Sequence, residues 1–459
     1  MLMSFKTKIK VIVAFALVLS ICMPLFACSK DRGPRATIPP DSSLKIEGTV
    51  KFTRDVSKLS EERASDAFVE AFEEVYPDVT VIKDYNPGNV PARIASGEIG
   101  DVFSFIESDT YNYAVTQKAL LPLNQYIQPL NIDMSEVFSG ILELGKVEGQ
   151  LYMVPQDYNH LVILYNKTAL KQAGLEDPAR GWTWEEYKDY AEKLTMTDPN
   201  DANLYTQVGG YLNYGFAPVY VSILAGWGGT WVDTENKKVD LTSDKVRAGI
   251  EDVLNLAKSG VIFPEGKSDT SSYTGVGNHN FVLRTIVYPQ LPSYANSFDS
   301  LGIEWDLADF PKFPGRHAVG TGSTGYGVYN YTENPNAAAA LCLFFLSKEG
   351  QLAFHSTDGG NVPLVRELAD SDFWRGHGSD NPEEFDWSTK NYDAFISFPD
   401  ADVVGRPNCM MPTQIASYIT SGWGGVLGSF FDNGNYIDIL TEIETRCNQT
   451  WERILSNQK

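Results

Sequence analysis

Short apolar strands alternate with amphipathic helices along this chain, and this alternation restricts the fold more than any other feature. Residues 49–53 have the pattern of a first strand. In residues 64–75 the apolar side chains recur at three- and four-residue spacing, which indicates a helix that ends before Pro77. Residues 79–82 and 99–105 have the pattern of two further strands. This order predicts an α/β sheet covered by helices.

The same alternation continues through the rest of the chain. Thr183 and Glu186 have the spacing of a capping box, which predicts a helix start. Ser243 begins a second amphipathic pattern that Gly260 closes, and Asn334 with Pro335 indicates a third helix. No internal repeat is present. We therefore expect a doubly wound α/β architecture over most of the length.

The first 28 residues have the layout of a secretory signal. Lys6, Lys8 and Lys10 precede an apolar run over residues 11–26, and the run closes with the sequence LFAC at Cys28. The run is shorter than the roughly 20 residues needed to cross a bilayer. The last four residues resemble a bacterial lipobox, which implies acylation of Cys28 and anchoring to the outer face of the cell membrane, or to the periplasmic side in a two-membrane bacterium. An ordinary signal peptide is the alternative. Residues 29–44 contain three Pro, three Ser and one Gly, which favours a flexible tether.

Charge and cysteine content exclude several classes of protein. The net charge of −22 disfavours binding to nucleic acid. Beyond the signal only Cys342, Cys409 and Cys447 remain, and an odd number argues against a dense disulfide framework. A bridge between Cys409 and Cys447 stays open at this level. The five histidines lack H-x-H or H-x-x-H spacing, so we predict no metal site and no cofactor.

One glycine motif could be mistaken for a cofactor site. Residues 320–325 read GTGSTG and match the dinucleotide pattern, which requires a helix directly afterwards. Residues 326–330 instead favour a strand, so we interpret the motif as a glycine-rich turn.

Several segments resemble one protein family in their order and spacing. They read FEEVYPDVTV at 72–81, ASGEIGDVF at 95–103, LLPLNQYI at 120–127, GQLYMVP at 149–155, LYNKT at 164–168, GWTWEEY at 181–187 and GGTWV at 228–232, followed by the helix pattern of 334–350. Together they resemble the extracellular solute-binding proteins of carbohydrate ABC importers, of the maltodextrin-binding type. The resemblance covers residues 45–450.

The resemblance implies the two-lobed periplasmic-binding-protein fold, in which two α/β lobes are joined by a hinge that the chain crosses repeatedly. Lobe one would comprise residues 45–156 and 281–330, and lobe two residues 157–280 and 331–459. The stretch 371–408 fits the pattern least and is expected to be an insertion near the cleft. The implied function is capture of a carbohydrate by hinge closure and its delivery to membrane permease subunits, without catalysis and as a monomer.

A sugar presents apolar ring faces and a rim of hydroxyl groups, so aromatic planes together with polar side chains can hold it. The candidates lie in segments expected to face the cleft, and Trp423 is the leading candidate for stacking because glycines flank it. The predicted ligand-binding residues are Arg54, Asp55, Glu107, Ser108, Asp109, Asp157, Tyr158, Asn159, Trp227, Tyr273, Tyr294 and Trp423. By contrast, Trp182, Trp184 and Trp231 are expected in the core.

Three other functions remain open from the sequence. The same fold could bind a non-sugar solute such as a polyamine, a peptide or an anion. The chain could also be a sensory lipoprotein. A third possibility is a lipid-anchored glycosidase, although no pair among the 59 carboxylates stands out as an acid and a base.

Overall fold

The computed structural model describes residue 39 and residues 43–358, 360–376, 387–398 and 402–457. The predicted signal peptide, Cys28 and most of the tether lie outside the described residues. Two mixed five-stranded sheets, each flanked by helices, organise the chain, which confirms the predicted α/β class and two-lobed fold.

The first sheet has the strand order Val79–Tyr85, Gly48–Arg54, Val102–Ile106, Thr324–Val328 and Val154–Pro155. The first three strands are parallel, and Thr324–Val328 runs antiparallel to both of its neighbours. The helices Leu59–Val75 and Pro335–Leu343 pack on this sheet, and Lys348–His355 packs on Leu59–Val75. Their packing includes the buried ring of Phe345, which stacks on Phe68 and Tyr326 at centroid distances of 3.7 and 4.3 Å.

The second sheet has the strand order Trp305–Asp309, Val162–Asn166, Phe281–Ile286, Asp201–Tyr211 and Met196–Asp198. Asp201–Tyr211 and Phe281–Ile286 are parallel, so their carboxyl ends meet at one edge. The apolar residues that pack around the second sheet come from both the middle and the late parts of the chain. The helices of this half are Lys167–Gln172, Trp184–Leu194, Ala217–Gly226, Asp244–Lys258, Leu291–Ser300, Thr413–Asp432 and Tyr436–Asn457.

The remaining elements are short. Strand pairs join Lys146–Val147 to Gln150–Leu151, Val232–Asp233 to Lys238–Val239, and Val319–Gly320 to Val403–Val404. The short helices are Val90–Ser96, Asn124–Ile127, Ser139–Leu142, Arg366–Ala369 and Pro407–Met410. Within the described part of the chain, no single helix combines the length and apolar composition of a membrane span; one bent pair, residues 335–346 with 348–355, meets the criterion by length and composition only.

Local sequence signals placed the main elements correctly. The capping box is present, because the Thr183 side chain accepts from the Glu186 amide at 3.2 Å and Glu186 accepts from the Thr183 amide at 2.6 Å. The residues after the glycine motif belong to a strand, as predicted, and this strand, Thr324–Val328, begins within the motif. Cys409 and Cys447 are free thiols, so the bridge that the sequence left open is not formed.

The lobe boundaries differ from the prediction in two segments. Residues 281–330 were expected in lobe one, but Phe281–Ile286 and Trp305–Asp309 both hydrogen-bond to Val162–Asn166 in the second sheet. Residues 331–459 were expected in lobe two, but Pro335–Leu343 and Lys348–His355 pack on the first sheet and its helices. Strand pairing and apolar packing decide both cases, and neither is a local property of the sequence.

Three segments cross between the sheets side by side. Val319–Gly320 pairs in parallel with Val403–Val404, and the amide of Leu161 donates to Gly320 O at 3.2 Å. His160 and Thr321 also form an isolated antiparallel bridge. The multi-crossing hinge is therefore built from the chain around 156–161, 319–323 and 403–406.

The described parts of 371–408 have two roles. Residues 387–398 lie along the outer strand of the second sheet, where Lys390 donates to Trp305 O at 2.8 Å and Asn391 to Leu307 O at 3.0 Å. These bonds satisfy carbonyls on an edge that would otherwise be open to pairing with another chain. Residues 403–406 continue into the hinge.

Candidate functional site

A cleft of about 650 Å³ lies between the two halves at the hinge. Its first wall includes Arg54, at the end of a first-sheet strand. The opposite wall includes Tyr288 and Phe216, which follow the carboxyl ends of the parallel strands Phe281–Ile286 and Asp201–Tyr211. Loops at this end of α/β sheets meet ligands, because the strand ends leave a crevice there.

Asp157 lies on the cleft floor within a network of neutral donors. Its carboxylate accepts from Ser323 Oγ at 2.9 Å, Asn361 Nδ2 at 2.6 Å and Gln156 Nε2 at 3.2 Å. Burial raises the pKa of the Asp157 carboxyl, and these hydrogen bonds, together with the nearby charge of Arg54, lower it by less. The Asp157 carboxylate is therefore an oriented hydrogen-bond acceptor on the cleft floor. Among the described residues, no Lys or Arg lies within ion-pair distance of it.

The raised pKa of Asp157 predicts a pH-dependent contribution to stability. A carboxyl whose pKa is higher in the folded than in the unfolded state favours folding when protonated, so its contribution to the free energy of unfolding falls as pH rises from its ordinary value through the folded-state value. Asp157→Asn is expected to remove this fall. Denaturant unfolding of both proteins from pH 4 to pH 8 tests it: the difference in unfolding free energy should shift in favour of the variant with rising pH. A constant difference would contradict the assignment.

Arg54 supplies a donor to the same floor. It is 4% exposed, its Nη1 donates to Ser65 Oγ at 2.6 Å, and its guanidinium lies 5.0 Å from the Phe354 ring centroid. No carboxylate in the described chain lies within ion-pair distance of it. Arg54 and Asp157 thus place a fixed donor and a fixed acceptor in one cleft, which suits a ligand group that both donates and accepts.

Asn159 also lines the cleft, at the first crossing of the hinge. Its Oδ1 accepts from the amide of Tyr288 at 3.3 Å and its Nδ2 donates to Gly322 O at 3.5 Å. The side chain therefore links the crossing segment to the second-sheet wall. Of the predicted residues, Arg54, Asp157 and Asn159 are the three that line the cleft.

Glu107 lies behind the cleft surface. It is fully buried, and its Oε2 accepts from Arg406 Nη2 at 2.6 Å while its Oε1 accepts from Arg406 Nε. Arg406 lines the cleft. Glu107 was predicted to touch ligand, but its buried position makes it a partner of Arg406.

Four polar or aromatic candidates near the first sheet and the hinge lie away from the cleft lining. Asp55 is exposed beside Arg54, while Ser108 is buried and Asp109 half-buried in the turn Glu107–Asp109. Tyr158 is buried and its ring stacks on Phe138 at 4.2 Å. Asp157 and Asn159, on either side of it in the chain, line the cleft, whereas the Tyr158 ring packs inside the core.

The four aromatic candidates of the second half also lie outside the cleft lining. Trp423 is 4% exposed, packs on Tyr220 at 4.9 Å and donates from Nε1 to Tyr214 O at 2.9 Å. The ring is therefore covered, although the flanking glycines had made it the leading candidate for stacking on a sugar. Trp227 packs on Phe313 at 4.8 Å, Tyr273 stacks on Tyr205 at 4.6 Å, and Tyr294 accepts from Arg284 at 3.2 Å.

Sequence reasoning missed several lining residues. Phe216 is the N-cap residue of the helix Ala217–Gly226, and its half-buried ring, which has no atom that could cap the helix, lines the cleft. Gly322, in the glycine-rich turn, also lines it. An aromatic residue at the N-cap position and a glycine motif without a following helix were the available signals.

The family model described as bacterial extracellular solute-binding protein matches residues 58–352, more than half of the chain. This chain belongs to the family of bacterial extracellular solute-binding proteins. Among curated proteins, it is 25% identical over 181 residues to the sn-glycerol-3-phosphate-binding periplasmic protein UgpB of Escherichia coli K12. That match spans 37% of this solute-binding protein and 36% of UgpB, so it covers about a third of the relative.

Solved structures support the fold over nearly the whole chain. The sugar-binding protein MalE of Xanthomonas citri superimposes with a TM-score of 0.69 at 14% identity, covering 90% of this solute-binding protein and 100% of MalE. The cyclic alpha-maltosyl-1,6-maltose binding protein of Arthrobacter globiformis gives 0.67 at 18% identity, with coverages of 89% and 100%. Lmo0181 of Listeria monocytogenes, solved with cycloalternan, gives 0.63 at 18%, with coverages of 88% and 99%.

Proposed function

We propose that this solute-binding protein captures a neutral saccharide in the cleft by hinge closure and delivers it to the permease of an ABC importer. The observation that supports this most directly is the composition of the cleft. A fixed donor, Arg54, a fixed acceptor, Asp157, and a partly buried aromatic ring, Phe216, all line it. Hydroxyl groups can satisfy the first two and an apolar sugar face can cover the third.

The charges of the cleft favour a neutral ligand over the phosphorylated polyol that the name of UgpB indicates. Three basic residues, Arg54, Lys58 and Arg406, line it together with three acidic ones, Glu61, Asp157 and Asp358. Glu107 neutralises Arg406 from behind. A phosphate would need more positively charged donors than carboxylates around it. The lining has no such excess of positive charge.

The buried guanidinium of Arg54 favours an anionic solute as a second candidate. Its guanidinium is buried without an ion-pair partner among the described residues, and the curated relatives are named for glycerol phosphate. Asp157 stands close enough to influence it electrostatically. This nearby carboxylate opposes an anion at the same position, which is why we favour the neutral ligand.

The family and the predicted export signal support the broader role. Acylation of Cys28 would hold the protein at the outer face of the membrane, where a permease could receive the closed form. Capture without chemistry fits an arrangement in which ligand contacts shift an open–closed equilibrium. No step in this role requires a cofactor or a bond to be broken.

A ligand panel tests the proposal. Purified protein lacking residues 1–28 is expected to gain thermal stability with at least one of glucose, maltose, maltotriose or a cyclic maltooligosaccharide, since a ligand that binds only the folded state raises its stability. The same protein should show no comparable gain with sn-glycerol 3-phosphate. Isothermal titration calorimetry then gives the affinity. A gain with the phosphate alone would favour the second candidate, and no gain with any saccharide would reject the sugar assignment.

A further inference from the structure

Arg406 and Glu107 form a two-point ion pair that joins the end of a first-sheet strand to the hinge at the cleft floor. Glu107 follows the first-sheet strand Val102–Ile106, whereas Arg406 follows the hinge strand Val403–Val404. Glu107 Oε2 also accepts from the amide of Ser323 at 3.1 Å. The Glu107 carboxylate therefore links two of the three crossing segments, the one that carries Ser323 and the one that carries Arg406.

The geometry leaves one edge of the guanidinium for a ligand. Glu107 engages Nε and Nη2 of Arg406, so Nη1 is the nitrogen outside the pair. Arg406 lines the cleft while Glu107 is fully buried. In the described chain, no protein acceptor is bonded to Nη1. A bidentate carboxylate restricts the plane of the guanidinium, which orients the remaining donors.

Gly322 keeps this pair accessible. A Cβ at Gly322 would lie 3.3 Å from Glu107 Oε1 and 3.4 Å from Arg406 Nη2. Gly322 itself lines the cleft. Any larger residue here would therefore cover the face of the ion pair, whereas glycine leaves it open from the cleft side.

We propose that Arg406 is a ligand-binding residue, and that Glu107, by neutralising and orienting it, makes the cleft select neutral oxygen acceptors and reject anions. This inference rests on the proposed function, since it specifies how the same cleft chooses its solute. The guanidinium donates to a hydroxyl or ring oxygen of the ligand. An anion at the same place would be attracted by Arg406 but repelled by the carboxylate directly behind it.

Glu107→Gln is the decisive variant, because it removes the negative charge with little change in shape. The amide oxygen can still accept one hydrogen bond, but Arg406 keeps an unbalanced charge facing the cleft. We expect the affinity for inorganic phosphate to rise about tenfold, the size of one charge-assisted hydrogen bond. Affinity for the best saccharide of the panel should fall, because the guanidinium is no longer held in plane. Calorimetric titration measures both.

Glu304→Gln is the matched control. Glu304 is exposed and pairs with Lys171 on the surface, so the variant makes the same change in net charge away from the cleft. It should bind phosphate and saccharide as the wild type does. A rise in phosphate affinity in both variants would mean that net charge, and not the ion pair, sets the selectivity, and would overturn the proposal.

The double variant Glu107→Gln with Arg406→Met tests the contact itself and avoids leaving a buried carboxylate without its partner. It should lose the gained phosphate affinity and bind the saccharide about tenfold less tightly than wild type. Wild-type saccharide affinity in the double variant would show that Arg406 does not touch the ligand. If no saccharide binds even the wild type, the proposed function fails, while the phosphate measurements still decide whether the ion pair excludes anions.

Discussion

Trp423→Ala is expected to lower the free energy of unfolding by about 3–5 kcal/mol, the usual cost of removing a large aromatic side chain from a core. The ring is 4% exposed and packs on Tyr220, and its Nε1 bonds to Tyr214 O at 2.9 Å. The variant therefore creates a cavity and leaves a carbonyl without its donor. Denaturant unfolding measures the loss.

The same variant should leave the affinity of the folded protein unchanged, because Trp423 does not line the cleft. Calorimetry at a temperature where the variant is folded measures this. Trp423→Phe keeps an aromatic ring in the core and should recover much of the stability. If Trp423→Ala instead lost affinity at unchanged stability, the stacking role suggested by the sequence would be restored and the core placement would be wrong.

The glycines around Trp423 show why its position could not be read from the sequence. A glycine beside a tryptophan suggests an uncovered ring, but a glycine in a helix also permits close approach by another helix. A Cβ at Gly422 would lie 2.6 Å from Ile443 Cδ1, on the neighbouring helix Tyr436–Asn457. Here the glycine serves helix packing, and only the tertiary structure distinguishes the two uses.

Local elements were predictable because their signals are local. The capping box at Thr183 and the apolar stripe of Leu59–Val75 depend on residues within one or two helical turns. Sheet membership depends on pairing across large sequence separations. The strand Phe281–Ile286 joins Val162–Asn166 over more than a hundred residues, and nothing within the strand itself specifies that partner.

The site divides in the same way. Arg54 could be predicted because it ends a recognisable strand, and Asp157 and Asn159 because they follow a recognisable motif at the first crossing. Arg406 comes from the segment that resembles the family least, and its place depends on the pairing of Val403–Val404 with Val319–Gly320. When a residue reaches the cleft through such non-local pairing, the spacing of residues in the sequence does not reveal its position.

Phe216→Ala is expected to weaken saccharide binding about 10- to 100-fold, which corresponds to losing the burial of one phenyl ring against the ligand. Phe216 lines the cleft and packs on the second-half core by only part of its surface. No aromatic side chain in the described chain stacks on its ring. A sugar face can therefore cover it on closure.

Two variants separate stacking from general packing. Phe216→Tyr keeps the ring plane and should retain most of the affinity. Phe430→Ala removes a similarly half-buried ring from the helix Thr413–Asp432, outside the cleft, and should change stability without changing affinity. Calorimetric dissociation constants for the three variants decide between them. Equal losses of affinity in Phe216→Ala and Phe430→Ala would mean that the effect is transmitted through stability. Full affinity in Phe216→Ala would show that the ring does not belong to the binding surface, which would leave the cleft with polar contacts alone.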